Sequence, residues 1–176
     1  GRGNSIYEGR LSFCEAQKRL KQFYFPYHEG LSNLILRAKF SFGYAVLFDC
    51  HSMPSSFRAI EGSGYKSNST DIVLGDLNGI SCNPHLTEMT GKIFENHGFA
   101  VKINRPFAGG FITKNYGNPR QGIHALQVEI NRGLYMNEEK IERNGNFTIF
   151  KETFADIIKE LSSLPIFEEF SEVAAE

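Results

Sequence analysis

At 176 residues the chain is long enough to bury a substantial core, and one α/β domain over 1–176 is expected. A formal net charge of -1, with 41% hydrophobic and 22% charged residues, is ordinary for a globular protein and argues against a dedicated nucleic-acid binder. No apolar run approaches the roughly 20 residues of a membrane span, and no signal-peptide pattern opens the chain. The cysteines Cys14, Cys50 and Cys82 show no paired spacing, so thiols in a reducing, cytoplasmic setting are expected.

Taken in chain order, Ser12 with Glu15 three residues on has the form of a helix capping box. Ala16, Leu20, Phe23, Tyr24, Tyr27, Leu31, Leu34, Ile35 and Ala38 then recur at helical spacing. Pro26 interrupts this stripe, which predicts one kinked helix or two successive ones. Tyr44 to Cys50 reads as a buried strand, and residues 52–70, rich in Ser, Gly and Asn, as a long loop. Asp71 to Asp76 reads as a second strand. Asn83 and Pro84 form a helix start, Leu86, Met89, Ile93 and Phe94 its buried face, and Gly98 its stop. Phe99 to Ile103 is a third strand, Phe107 to Gly122 a glycine-rich connection, and His124 to Ile130 a fourth strand. Asn146 is placed to cap a helix carrying Phe147, Phe150, Phe154, Ile157, Ile158 and Leu161, followed from Pro165 by an acidic tail. This alternation predicts an α/β fold with a mostly parallel central sheet flanked by helices.

The chemistry concentrates at two strand ends. Asp49-Cys50-His51-Ser52-Met53-Pro54 follows the apolar run Tyr44 to Phe48, and Glu129 and Arg132 emerge from the run around Val128. Open α/β sheets bind ligands outside the carboxyl ends of their strands. His51 is a candidate metal ligand, with a nearby carboxylate fixing its tautomer; the alternative is a histidine that bonds loop backbone. Glu129 sits in an apolar strand, where an unpaired carboxylate is costly. It either pairs with Arg132 or Arg105, or faces a polar site and works there. Arg132 offers a planar fork for a substrate carboxylate, or an ion pair with Glu129. His28 is expected to cap or pack, and His85 and His97 to face solvent. Gly109-Gly110 permits close backbone approach to a ligand or an unusual loop geometry. There is no phosphate-cradling loop, dinucleotide fingerprint or Gly-x-Ser-x-Gly elbow. Cys50 and His51, as strand neighbours, point to opposite faces, which disfavours a thiol nucleophile.

Several of these stretches together resemble the N-formylglutamate amidohydrolase family of zinc hydrolases, related to carboxypeptidases and aspartoacylases. They are Ile6 to Ser12, Pro26-Tyr27-His28, Asp49 to Pro54, Asp71 to Asp76, Pro106 to Thr113, and Ala125 to Met136. The resemblance implies a zinc-carboxypeptidase-like fold and one zinc ion that activates water to attack the formyl amide of N-formyl-L-glutamate. Formate and glutamate would leave, as in a route of histidine degradation. It implies His51 as one metal ligand, Glu129 as the general base, and Arg132, Asn104 and Tyr116 as residues that orient the substrate. It also implies two further ligands from a preceding segment. The chain is therefore expected to be the C-terminal portion of an amidohydrolase domain, with an incomplete zinc-ligand set. The exposed sheet edge such a portion would have leads to an expected homo-oligomer. The expected partner is a small N-acylated acidic amino acid, with no nucleic acid and no membrane. The competing readings are a related N-acyl amino acid deacylase or carboxypeptidase, and a metal-free anion-binding module of the same fold.

Overall fold

The computed structural model describes residues 5–55 and 70–164. Most of the long loop expected at 52–70, and the acidic tail from Pro165, lie outside the described residues. The chain divides into two compact units, Gly1–Ala45 and Val46–Glu176. The sequence pattern is read as a single domain without a linker; at the boundary Phe42 ends a helix and Ala45 begins a strand.

The first unit is helical. Ser12 caps α1 (Phe13–Arg19) by accepting the Glu15 amide through its hydroxyl. Glu15 does not complete a capping box; its carboxylate pairs with Arg19 one turn on, at 2.9 Å. A π-helical segment, Leu20–Tyr24, leads into α2 (Phe25–Phe42). Pro26 falls in the first turn of α2, where a missing amide is tolerated. The widened turn before it is closed by the Phe25 amide on the Leu20 carbonyl, so the expected interruption takes the form of a π-bulge. Gly43 ends α2 at φ 81°. The apolar stripe is helical as expected, yet among its members only Ile35 is buried, while Phe23, Tyr27 and Leu34 are exposed.

The second unit is built on a four-stranded sheet ordered β1-β4-β2-β3, with β1 at Ala45–Met53, β2 at Ile72–Gly75, β3 at Val101–Ile103 and β4 at Ile123–Asn131. β2 pairs parallel with β3, Leu74 opposite Ile103, and antiparallel with β4, Val73 opposite Glu129. Ser52 meets Arg132 and Asp49 acts on Glu129, so β1 and β4 run the same way and their carboxyl ends lie together. The α/β class and the predominance of parallel pairs follow the sequence reading; the β2–β4 step departs from it. Periodicity reports burial, not strand direction. β1 is an edge strand rather than a buried one, and Cys50, His51 and Ser52 are exposed on it.

β2 is buried throughout, as is the core of β4 from His124 to Ile130. Helix α3 (Pro84–Asn96) lays Leu86, Ile93 and Phe94 on the sheet. Asn83 caps it through the His85 amide, and Gly98 (φ 87°) closes it. The Gly98 amide bonds the Glu95 carbonyl and the Phe99 amide the Phe94 carbonyl, a Schellman ending sealed by Phe94 against Phe99. Helix α5 (Phe147–Ser162) adds Phe150, Phe154 and the fully buried Ile157 to the same core, with Phe154 and Phe94 rings 6.2 Å apart. Burial of such side chains contributes about 1.5–3 kcal/mol each. Ile158, assigned to the apolar stripe, is exposed. Asn146 precedes α5 without a side-chain cap, and its own amide is held by Asn144 Oδ1. The connection 107–122 contains helix α4 (Phe111–Tyr116) and a 3-10 turn, and a small hairpin follows β4, β5 (Met136–Asn137) with β6 (Glu142–Arg143). None of the described helices is long and apolar enough to cross a membrane.

Candidate active site

The joined ends of β1 and β4 bring the charged groups together. Asp49 and His51 are two apart on a strand and therefore share a face; Asp49 Oδ2 lies 3.0 Å from His51 Nε2. With a proton on Nε2 donated to Asp49, the lone pair of Nδ1 is left for a cation or a proton. On β4, Gln127 and Glu129 are likewise on one face, and Gln127 Nε2 donates to Glu129 Oε1 at 2.9 Å. Glu129 is 8% exposed, so water screens it poorly.

Arg132 follows β4 directly. Its Nε donates to Ser52 Oγ at 3.2 Å, its Nη2 to the Ser52 carbonyl at 3.4 Å, and its Nη1 lies 3.5 Å from Glu138 Oε1. Glu138, just past β5, also receives both the amide and the hydroxyl of Ser55. These contacts keep the guanidinium near the end of β1.

Burial raises the Glu129 carboxyl above the ordinary carboxylate value, and the neighbouring Asp49 adds to the rise. His51, the Gln127 amide and Arg132 act in the opposite sense. A carboxylate held in this balance is suited to taking up and returning a proton. Desolvation and Asp49 raise the Cys50 thiol above its ordinary value, which disfavours its thiolate. The buried Cys82 thiol is pushed up to about 12.

Of the residues expected at the site, the structure gathers His51, Glu129 and Arg132. Asn104 lies elsewhere, two strands from β4, with φ 58°. Its Oδ1 accepts the Asp76 amide and its Nδ2 donates to Asp76 Oδ1 at 2.7 Å. Asp76 is buried and also takes bonds from Gly79 and Thr87, so Asn104 serves to order the turn after β2. Tyr116 ends α4, next to the Gly117–Ser81 contact that adjoins the start of β4, whereas Arg132 follows its end. Of the two arginines weighed as partners of Glu129, Arg132 acts on its carboxyl. Sequence reading missed Gln127, Ser52, Ser55 and Glu138. The signal for Gln127 was available, as a second polar residue in an otherwise apolar strand.

The remaining histidines have structural settings. His28 packs on the Tyr24 ring at 4.2 Å, and His85 is exposed. His97, expected to face solvent, is only partly exposed and meets Glu160 at 2.8 Å. His124 is buried, accepts the Asn83 amide on Nδ1 at 3.2 Å, and is lowered by burial toward the neutral form.

The family model for N-formylglutamate amidohydrolase matches residues 1–136. The chain belongs to the N-formylglutamate amidohydrolase family. It is 38% identical to the N-formylglutamate deformylase of Pseudomonas putida over 133 residues, covering 74% of this chain and 48% of that protein. The deformylase of Pseudomonas aeruginosa is 34% identical over 140 residues, covering 78% and 51%. Among solved structures, N-formylglutamate amidohydrolase from Ralstonia eutropha JMP134 superposes with TM-score 0.79 at 31% identity, over 89% of this chain and 56% of that one. The chain thus spans about half the length of the curated relatives it matches. The family segment includes Asp49, His51, Glu129 and Arg132 but stops short of Glu138 and α5.

Proposed function

We propose that the protein carrying this chain hydrolyses the formyl amide of N-formyl-L-glutamate, releasing formate and glutamate. The observation that supports this most is the buried Glu129 carboxylate beside the Asp49–His51 pair, with the Arg132 guanidinium at the same strand ends. The names of the relatives agree with that substrate. In this reading Glu129 takes a proton from the attacking water and returns it to the departing amine. Its raised affinity for protons assists the first half of that exchange, the uptake from water. Arg132 receives a carboxylate of the substrate, for which a guanidinium fork is the fitting partner. Ser52 and Glu138 hold that fork at the mouth of the sheet.

A zinc ion is part of the proposal, and the described residues fit it in part. His51 is exposed, and Asp49 on one ring nitrogen leaves the other as a ligand atom, the pairing seen when a carboxylate orients a metal-bound imidazole. Among the described residues no group of three His, Cys, Asp or Glu is placed to hold a metal, whereas a catalytic zinc takes three protein ligands. His51 would be one of them, with the others outside the described residues. When bound, zinc lowers the pKa of a coordinated water to about 7 and polarises a carbonyl.

The test is made on the longest natural product of the gene, by zinc analysis and by formate release from N-formyl-L-glutamate. Bound zinc, release of formate, and loss of both on changing His51 to Ala are expected. Zinc bound with activity on other N-acyl amino acids but not this one would move the reading to a deacylase. Neither metal nor turnover would sink the enzyme reading in favour of an anion-binding module.

A further inference from the structure

We infer that Gln127 is a positioning residue for the reaction, holding one oxygen of the Glu129 carboxylate and so fixing the direction in which the other faces. This rests on the reading of Glu129 as the base. β4 is otherwise apolar at its centre: Ala125, Leu126, Val128 and Ile130 are all buried. Packing alone would be served by another aliphatic residue at 127. An amide buried to 5% exposure is costly unless its polar atoms are matched. The match is specific. Nε2 donates to Glu129 Oε1 at 2.9 Å across the i, i+2 spacing that puts both side chains on one face.

The other end of the amide is defined by glycines. A Cβ on Gly110 would come 3.0 Å from Gln127 Oε1, so the Gly110 backbone sits against that oxygen. Gly75 lies opposite Gln127 in the β2–β4 register. Its missing side chain lets Ala108 and Gly109 close over β2, since a Cβ there would meet the Gly109 nitrogen at 2.6 Å. The segment is fastened by the Leu77 amide on the Ala108 carbonyl and by the Gly110 amide on Thr113 Oγ1. A packed backbone thus flanks the amide on one side and a carboxylate takes its donor on the other. Reversing the amide would set its oxygen against the carboxylate, so the orientation is determined. Gly109 and Gly110 are singled out in the sequence as a place of close backbone approach; Gly110 makes that approach to Gln127, a side chain of the protein itself, and Gly109 to Thr113 and Leu77.

The experiment compares variants of the longest gene product by kcat, KM for N-formyl-L-glutamate and melting temperature. Gln127→Leu is expected to lower kcat about 10–100-fold, the usual effect of removing a group that orients a catalytic one, with KM within about twofold. Gly110→Ala is on an exposed backbone position, so folding is little affected, yet its Cβ displaces the amide; a severalfold loss in kcat at unchanged melting temperature is expected. In a Glu129→Asp background the shorter carboxylate no longer meets the amide, and Gln127→Leu should then have no further effect. Full kcat in both Gln127→Leu and Gly110→Ala, while Glu129→Gln is inactive, overturns the positioning role and leaves the base in place. Activity retained in Glu129→Gln overturns the reading of the base, and the inference with it. An undiminished effect of Gln127→Leu in the Glu129→Asp background also overturns it, by showing that the amide acts other than through Glu129.

Discussion

Gly75→Ala tests how tightly the 108–110 backbone is held against the sheet. The added Cβ would stand 2.6 Å from the Gly109 nitrogen, 2.7 Å from the Ala108 carbonyl carbon and 3.0 Å from its oxygen, where ordinary contact begins at 3.4 Å. All three atoms belong to one peptide, so no side chain can swing away to make room. The peptide must retreat by close to an ångström, against the Leu77–Ala108 hydrogen bond of 2.6 Å. Overpacking of this kind costs about 1–3 kcal/mol, and weakening the hydrogen bond adds about 1 kcal/mol. A destabilisation of about 2–4 kcal/mol follows. Gly91→Ala on α3 is the control, because its Cβ would lie 3.7 Å from Leu74 Cδ1 and 3.8 Å from Val101 Cγ1. Alanine is favoured there by roughly 0.8–1.0 kcal/mol of helix propensity. Denaturant titration at constant slope gives both numbers as midpoint shifts. If Gly75→Ala were as stable as its parent while Gly91→Ala behaved as expected, the 108–109 peptide would not be anchored and the argument from glycine contacts would be wrong.

Other outcomes follow from the buried polar groups and the core. On the proposed role of Glu129 as base, Glu129→Gln in the longest gene product should lower formate release by about 10²–10⁴-fold, the usual worth of a general base, while raising the melting temperature at pH 7. The folded carboxyl has a raised pKa, so its contribution is most favourable below the unfolded value of about 4.3 and is lost as pH rises through the folded value. The stability gap between the two proteins should therefore close on acidification, as seen in paired thermal melts; a gap independent of pH would contradict it. His124 has the opposite linkage. Its folded pKa lies below the unfolded value of about 6.5, so stability is full above that pH and falls as pH drops toward the folded value. His124→Asn retains an acceptor for the Asn83 amide and should flatten the acid limb of a melting curve against pH. Ile157→Ala, at a site with no exposed surface, should cost about 2–5 kcal/mol in a denaturant titration, against less than about 0.5 kcal/mol for the exposed Ile158→Ala.

What the sequence discloses and what it withholds differ by kind of interaction. Local capping is legible in part, because its partners are within a few residues, although Glu15 pairs with Arg19 and Asn146 makes no side-chain cap on α5. Ser12, Asn83 and Gly98 do what their types favour, and the π-bulge before Pro26 is a local response to a local disruption. The helical period of 16–38 is equally plain, but whether its apolar face is covered is not a property of that segment, and Phe23, Tyr27 and Leu34 are exposed. α4 was hidden because Phe111–Tyr116 is only six residues long, too short for an apolar stripe to repeat. Strand direction was hidden for another reason, since a buried strand shows the same apolar run whichever way it points. The β2–β4 pairing is antiparallel, and it moves the end of β4 away from the end of β2.

That reversal separates the expected site residues that the structure brings together from those that it does not. Glu129 and Arg132 stay together because they share one strand and its exit, and His51 joins them because β1 lies beside β4 with the same direction. Asn104 follows β3, which runs with β2 and against β4, so it arrives at the far end and binds Asp76 instead. The dependable sequence signal was therefore a polar residue inside an apolar strand, rather than a polar residue following one. Glu129 was read that way. Gln127 satisfied the same criterion two residues earlier, and a buried amide must find a partner for the same physical reason as a buried carboxylate. On a strand the nearest candidate two residues away is on the same face, so the Gln127–Glu129 contact was implied by the spacing alone. Its connection to Gly75 and Gly110 was not, because that depends on a loop packing across β2 onto positions where a side chain is missing.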